Sequence, residues 1–138
     1  MAFATKQLPH HPDAIAPDGS AVRILLALGR GSAAHFELPP GATSVAVRHR
    51  TVEEIWFVVG GAGEMWRRDH DGEAVVALTP GTCLTIPLGT MFQFRCTSTD
   101  PLAAFGITMP PWPGVGEAVA SAGRWPATAR SGPGLAAE

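Results

Sequence analysis

The stretch GATSVAVRHRTVEEIWFVVGGAG, residues 41–63, carries the strongest pattern in the chain. From Ser44 to Arg50 the residues alternate. Val45, Val47 and His49 fall on one side of an extended chain, and Ser44, Ala46, Arg48 and Arg50 on the other. Glu54 to Val59 reads as a second strand, and Gly60, Gly61 and Gly63 close it with a turn.

The same grammar extends in both directions. Val22–Leu28 and Ala33–Leu38 precede the stretch, the latter ended by Pro39, Pro40 and Gly41. Glu64–Arg68, Ala74–Leu78, Cys83–Ile86, Met91–Cys96 and Leu102–Thr108 follow. Nine short strands with turn signals every 8 to 12 residues and no long helical pattern predict an all-β sandwich or barrel. Sixteen glycines and thirteen prolines agree with many turns. Residues 1–20 read as an N-terminal arm, 21–109 as the barrel, and 110–138 as a Pro- and Trp-rich strap with a mobile tail. Within that last part, Glu117–Ala122 is expected to make one helical turn. The run Pro110-Pro111-Trp112-Pro113-Gly114 cannot form a central strand, because proline lacks the donor N–H. It reads as a stiff strap over the barrel mouth or over a neighbouring subunit, with Trp125 as a second anchor.

Composition removes several functions. A chain of 138 residues is one domain's worth. Its 46% hydrophobic content suffices for a core, and a formal net charge of −2 leaves no basic footprint for nucleic acid. The early apolar run Ile24–Leu28 is far short of the roughly 20 residues of a membrane helix. Met1–Pro12 lacks the charged-then-apolar order of a signal peptide, so the expected location is the cytoplasm. Cys83 and Cys96 are expected as buried thiols in a reducing compartment, with a disulfide as the alternative. No phosphate loop, Gly-x-Ser-x-Gly elbow or Cys-x-x-Cys pair is present.

Two motifs at a set spacing complete the reading. Gly41 is followed by five residues, Val47, Arg48, His49, four residues, Glu54, six residues and Gly61. In GTCLTIPLGTMFQFRC, residues 81–96, Gly81 is followed by five residues, Pro87, Leu88, Gly89, two residues, Phe92, three residues and Cys96. In this framework the chain resembles the small single-domain cupins over about residues 21–109. The resemblance implies a double-sheet jelly-roll β-barrel. It also implies that His49 and Glu54 stand at two of the four positions where cupins usually hold a divalent metal. Val47 and Phe92 occupy the other two, and Cys96 the motif's terminal Asn. Glu53 would also lead to a glycine six residues on, but the Gly61-Ala62-Gly63 pair selects Glu54.

The expected cofactor is therefore none, or a weakly held divalent metal, with His35 as the candidate third ligand beside His49 and Glu54. The primary reading is a small-molecule pocket inside the barrel. His49 and Glu54 are its polar pair, able to act as acid or base, and Val47, Trp56, Phe92 and Phe94 are its walls. Gln93 is expected to point outward, opposite Phe92 and Phe94. Catalysis, if present, would be isomerase, cyclase or lyase chemistry. The alternatives are a metal-dependent dioxygenase or isomerase with a reduced ligand set, and a non-catalytic ligand-sensing cupin. His10, His11 and His70 read as solvent-exposed polar residues. The expected partners are a small molecule and a second copy of the chain, as a homodimer covering exposed strand edges.

Overall fold

The computed structural model describes residues 2–137. The strands are β1 (Ala14–Ile15), β2 (Ala21–Leu28), β3 (Gly31–Leu38), β4 (Val47–His49), β5 (Glu53–Gly60), β6 (Gly63–Asp69), β7 (Gly72–Leu78), β8 (Cys83–Ile86), β9 (Met91–Cys96), β10 (Leu102–Met109) and β11 (Ala118–Ala120). They form two antiparallel sheets. One has six strands in the order β1-β2-β3-β10-β5-β8, and the other has five in the order β11-β4-β9-β6-β7. All nine strands read from the sequence are present, and the architecture is the jelly-roll barrel.

Alternation on each strand builds the core. On β5, Glu54, Trp56 and Val58 are buried, while Glu53, Ile55, Phe57 and Val59 are exposed. Trp56 and Val58 share one core cluster with Leu38 and Ile86 of the same sheet and with Met65, Leu78, Phe92 and Phe94 of the facing sheet. The turn after β5 works only with glycine. Gly61 has φ +68°, and a Cβ there would collide with the Pro101 carbonyl; one on Gly63 would collide with the carbonyl of Arg95. This close crossing explains the Gly61-Ala62-Gly63 pair physically.

Several expectations need correction. The strand expected over Ser44–Arg50 is shorter, Val47–His49, because Ser44 serves a different contact: its hydroxyl accepts from the Phe94 N–H at 3.0 Å. Glu117–Ala122 contains strand β11 and no helical turn, since β4 offers an edge on which Ala118 pairs with His49. Beyond Pro126 the backbone hydrogen-bonds to the barrel: Thr128 and Ala129 N–H groups donate to the Thr43 carbonyl, and Gly132 N–H to that of Ala16. Gln93 does lie on the face opposite Phe92 and Phe94, but it is buried. Its amide donates to the Ser44 and Trp125 carbonyls at 2.8 Å each and accepts from the Arg124 and Trp125 N–H groups at 2.9 Å. The residues after β11 thus cover what would otherwise be the solvent face of β9. Cys83 is exposed and only Cys96 is buried; both are free thiols. Among the described residues no helix is long and apolar enough to cross a membrane.

Candidate functional site

His49 ends β4 and Glu54 lies at the start of β5, so the reversal through residues 50–53 turns both inward. Glu117, from the segment leading into β11, holds that reversal. Its carboxylate accepts from the Thr51 N–H at 2.7 Å, the Val52 N–H at 3.1 Å and the Thr51 hydroxyl. Burial pushes the Glu117 carboxyl up, but these hydrogen bonds outweigh it and leave its pKa lowered. His49 Nδ1 and Glu54 Oε2 stand 3.4 Å apart, with both side chains buried. His49 Nδ1 has no well-formed hydrogen bond.

The electrostatics make this a neutral pair. Burial lowers the His49 pKa to about 4, slightly opposed by Glu117. Burial raises the Glu54 pKa to about 8, and the nearby Asp18 and Glu117 carboxyls push the same way. The Trp56 indole N–H opposes that rise, although its approach falls short of a good hydrogen bond. Removing a charge from water costs more than a 3.4 Å attraction returns, so near pH 7 the imidazole is neutral and the carboxyl protonated.

The pair stands at the wall of a cavity of about 470 Å³, within the range of small-molecule sites. Val47 and Trp56 are among its lining residues. Phe92 and Phe94 are not. They form the layer behind, with Phe92 edge-on to the His49 ring at 5.2 Å and Phe94 edge-on to Trp56 at 5.0 Å. Trp56 stacks on Phe36 at 5.2 Å, and Gly106 makes room for that stack. A Cβ at Gly106 would lie 2.6 Å from Phe36 and 3.2 Å from Trp56 Nε1. From the segment after β10, Trp112 stands edge-on to His49 at 5.0 Å, and Pro111 and Val115 line the same cavity.

His35 does not join His49 and Glu54. Its strand neighbours Ala34 and Phe36 line the cavity, while His35 pairs with Arg23 and Phe105 in the sheet and is absent from the lining. Strand alternation alone sends it to the other face. Sequence reasoning missed Asp18, a buried carboxyl lining the cavity from the arm. Its Oδ1 accepts from the Ser20 N–H at 2.9 Å and the Ser20 hydroxyl at 2.7 Å. Burial raises its pKa against those two bonds. Asp18-Gly19-Ser20 reads as a turn, and no periodic signal marks it as interior.

A catalytic metal needs about three protein ligands. His49 and Glu54 supply two. Val47 and Phe92, at the other family ligand positions, are direct cross-strand partners, so a hydrophobic pair stands there. Among the described residues, the group of His, Cys, Asp or Glu donors lying within 4.8 Å of one another is Asp69, His70 and Asp71, in the exposed β6–β7 turn. The residues of the cavity do not fit a resident catalytic metal.

A two-sheet jelly roll with an interior cavity and a His–Glu pair in the first motif is a barrel of the cupin type. The sequence matches the Cupin domain family over residues 34–108, more than half of the chain, and the protein belongs to that family. Solved structures agree on the fold. KdgF from Halomonas sp. is 23% identical with a TM-score of 0.58, covering 67% of this chain and 81% of its own. A predicted oxalate decarboxylase from Thermotoga maritima is 17% identical with a TM-score of 0.63, covering 80% and 99%. Oxalate decarboxylase from Bacillus subtilis is 16% identical with a TM-score of 0.64, covering 72% and 28%. No curated protein matches the sequence. At these identities the likeness carries the fold alone.

Proposed function

We propose that this cupin binds a small organic molecule in the barrel cavity and that His49 and Glu54 exchange protons with it, as in isomerase, cyclase or lyase chemistry. The observation that carries the reading is the burial of His49 and Glu54 side by side at the cavity wall, which lowers the imidazole pKa and raises that of the carboxyl. A protonated Glu54 beside an unprotonated His49, 3.4 Å apart in a largely apolar cavity, is an acid and a base held ready together. On an enolisable ketone, Glu54 would donate its proton to the carbonyl oxygen while His49 takes one from the adjacent carbon. An imidazole with a pKa of about 4 is a weak base at pH 7, so the donor side carries the larger share.

Proton exchange tests this directly. Wild-type protein in D₂O should incorporate deuterium into the methyl group of acetophenone faster than buffer does. Glu54→Gln should return the rate to background. Acetophenone bound without exchange would favour the non-catalytic sensing reading.

We also propose that the protein is a cytoplasmic homodimer. Ile55, Phe57 and Val59 on β5 and Ile107 on β10 are each 38–47% exposed, and Ile55 and Ile107 are register partners on the outer face of the six-stranded sheet. Such an apolar stripe is costly to leave in water. Light scattering should give twice the 14.4 kDa chain mass. Phe57→Glu should halve it, and a 14.4 kDa species in the wild type would overturn the dimer.

A further inference from the structure

We infer that the cavity selects an uncharged, largely apolar molecule with one carbonyl-type oxygen, and rejects organic anions of the same shape. The inference rests on the small-molecule reading above and names the ligand class.

Three observations support it. First, among the described residues no Lys or Arg lines the cavity. An entering carboxylate would lose its water and gain no cation in exchange. It would instead meet two buried carboxyl groups, those of Asp18 and Glu54.

Second, the polar groups in the wall divide sharply into satisfied and unsatisfied. Asp18 Oδ1 is held by Ser20. Ser32 and Thr108 hydroxyls bond each other, and Ser32 also accepts from the Trp112 N–H at 2.9 Å. Trp56 Nε1–H and His49 Nδ1 are buried without a well-formed hydrogen bond, and Glu54, two residues from Trp56 on the same side of β5, is the carboxyl that the indole approaches. An indole N–H can only donate. A buried donor left unpaired is costly, and an acceptor oxygen on the ligand would satisfy it. Glu54, in the same wall and with its pKa raised by burial, is a second donor for such an oxygen.

Third, the remaining surface is apolar. Ile24, Leu25, Leu26, Phe36, Pro111 and Val115 offer dispersion contacts and no further hydrogen bonds from their side chains. A polyhydroxylated ligand would bury hydroxyls against them without partners.

Three probes of nearly equal shape separate the charge states: acetophenone, benzoate and benzylammonium, measured by quenching of tryptophan fluorescence and by equilibrium dialysis at pH 7. Acetophenone should bind at least tenfold more tightly than either ion. Trp56→Phe should weaken acetophenone about fivefold, the size of one hydrogen bond. Because Trp56 is also part of the core, Leu25→Arg provides a second variant at a half-buried position on β2. It should raise benzoate affinity at the expense of acetophenone. Preferential binding of benzoate or benzylammonium to the wild type would overturn the inferred neutrality while leaving a small-molecule pocket standing. Failure of all three probes to bind at 10-fold above the about 1 mM expected of fragment-sized ligands would overturn both.

Discussion

Two His–carboxylate pairs stand among the described residues of this barrel, and they differ in almost every respect that matters for chemistry. In the β6–β7 turn, His70 Nε2 stands 3.5 Å from Asp71 Oδ1, with side chains 88% and 83% exposed. In the cavity, His49 Nδ1 and Glu54 Oε2 are 3.4 Å apart, with side chains 7% and 3% exposed. The separations are nearly equal. Water screens the first pair, leaving it an ordinary surface contact. Its absence forces the second pair to exchange charge for neutrality, raising Glu54 and lowering His49. Proximity alone does not make a reactive pair; desolvation does.

The largest expected effect is on proton exchange. Glu54→Gln is nearly isosteric and, like the protonated acid, uncharged. It should abolish deuterium incorporation into acetophenone while leaving the melting temperature at pH 7 within about 2 °C. Asp71→Asn should leave exchange unchanged. A large destabilisation by Glu54→Gln would mark the pair as structural instead.

The pH dependence of stability follows from the same contrast. Glu54 has its folded pKa raised from 4.5 to about 8, so its contribution is fully present below pH 4.5 and is lost as pH rises toward and through 8. His49 has its folded pKa lowered from 6.5 to about 4, so its contribution is present above pH 6.5 and is lost as pH falls through 4. Between pH 4.5 and 6.5 the two slopes oppose each other. From pH 6.5 to 8 His49 no longer opposes the fall; the Glu54 share should be at most about 1.4 kcal/mol per pH unit, and Asp18, whose carboxyl is also raised by burial, acts in the same direction. Urea unfolding of Glu54→Gln should show a clearly smaller fall over this range than the wild type.

Trp112→Ala removes the strap's edge-on contact with His49 and opens the mouth of the cavity. Acetophenone affinity should drop about three- to tenfold, with stability changed by about 1 kcal/mol. Smallest of all, His70→Ala should shift stability by no more than about 0.5 kcal/mol. Dialysis against EDTA should leave the melting temperature unmoved, because His49 and Glu54 fall short of three ligands and Asp69, His70 and Asp71 lie in an exposed turn away from the core.

What was legible in the sequence was what periodicity and spacing encode. Short apolar runs punctuated by glycine and proline marked the nine strands from Val22 to Thr108, with clean alternation at Ser44–Arg50, and the motif spacing singled out His49 and Glu54. The rest depended on contacts between residues distant in sequence. Period two put Gln93 on the correct side of β9, but its burial comes from Arg124 and Trp125, about thirty residues later. Asp18 is enclosed because Ala129 closes on Gly19 and the Val45 N–H reaches the Asp18 carbonyl at 2.8 Å. Phe92 and Phe94 face inward as expected, yet whether an inward residue lines a void or fills one depends on the neighbours' volumes, here His49 and Trp56. Ala118–Ala120 is too short for its own pattern to separate a helical turn from a strand; the open edge of β4 decides it.

The neutrality of the His49–Glu54 pair is the claim on which the site's chemistry rests. Carboxyl ¹³C NMR of Glu54, with the imidazole ¹⁵N shifts of His49 followed in the same titration, measures it directly. Glu54 should titrate with a midpoint of about 8, and His49 should stay neutral down to about pH 4. A Glu54 midpoint near 4.5, with an imidazolium partner at pH 6, would make the two residues an ordinary buried ion pair and contradict the account.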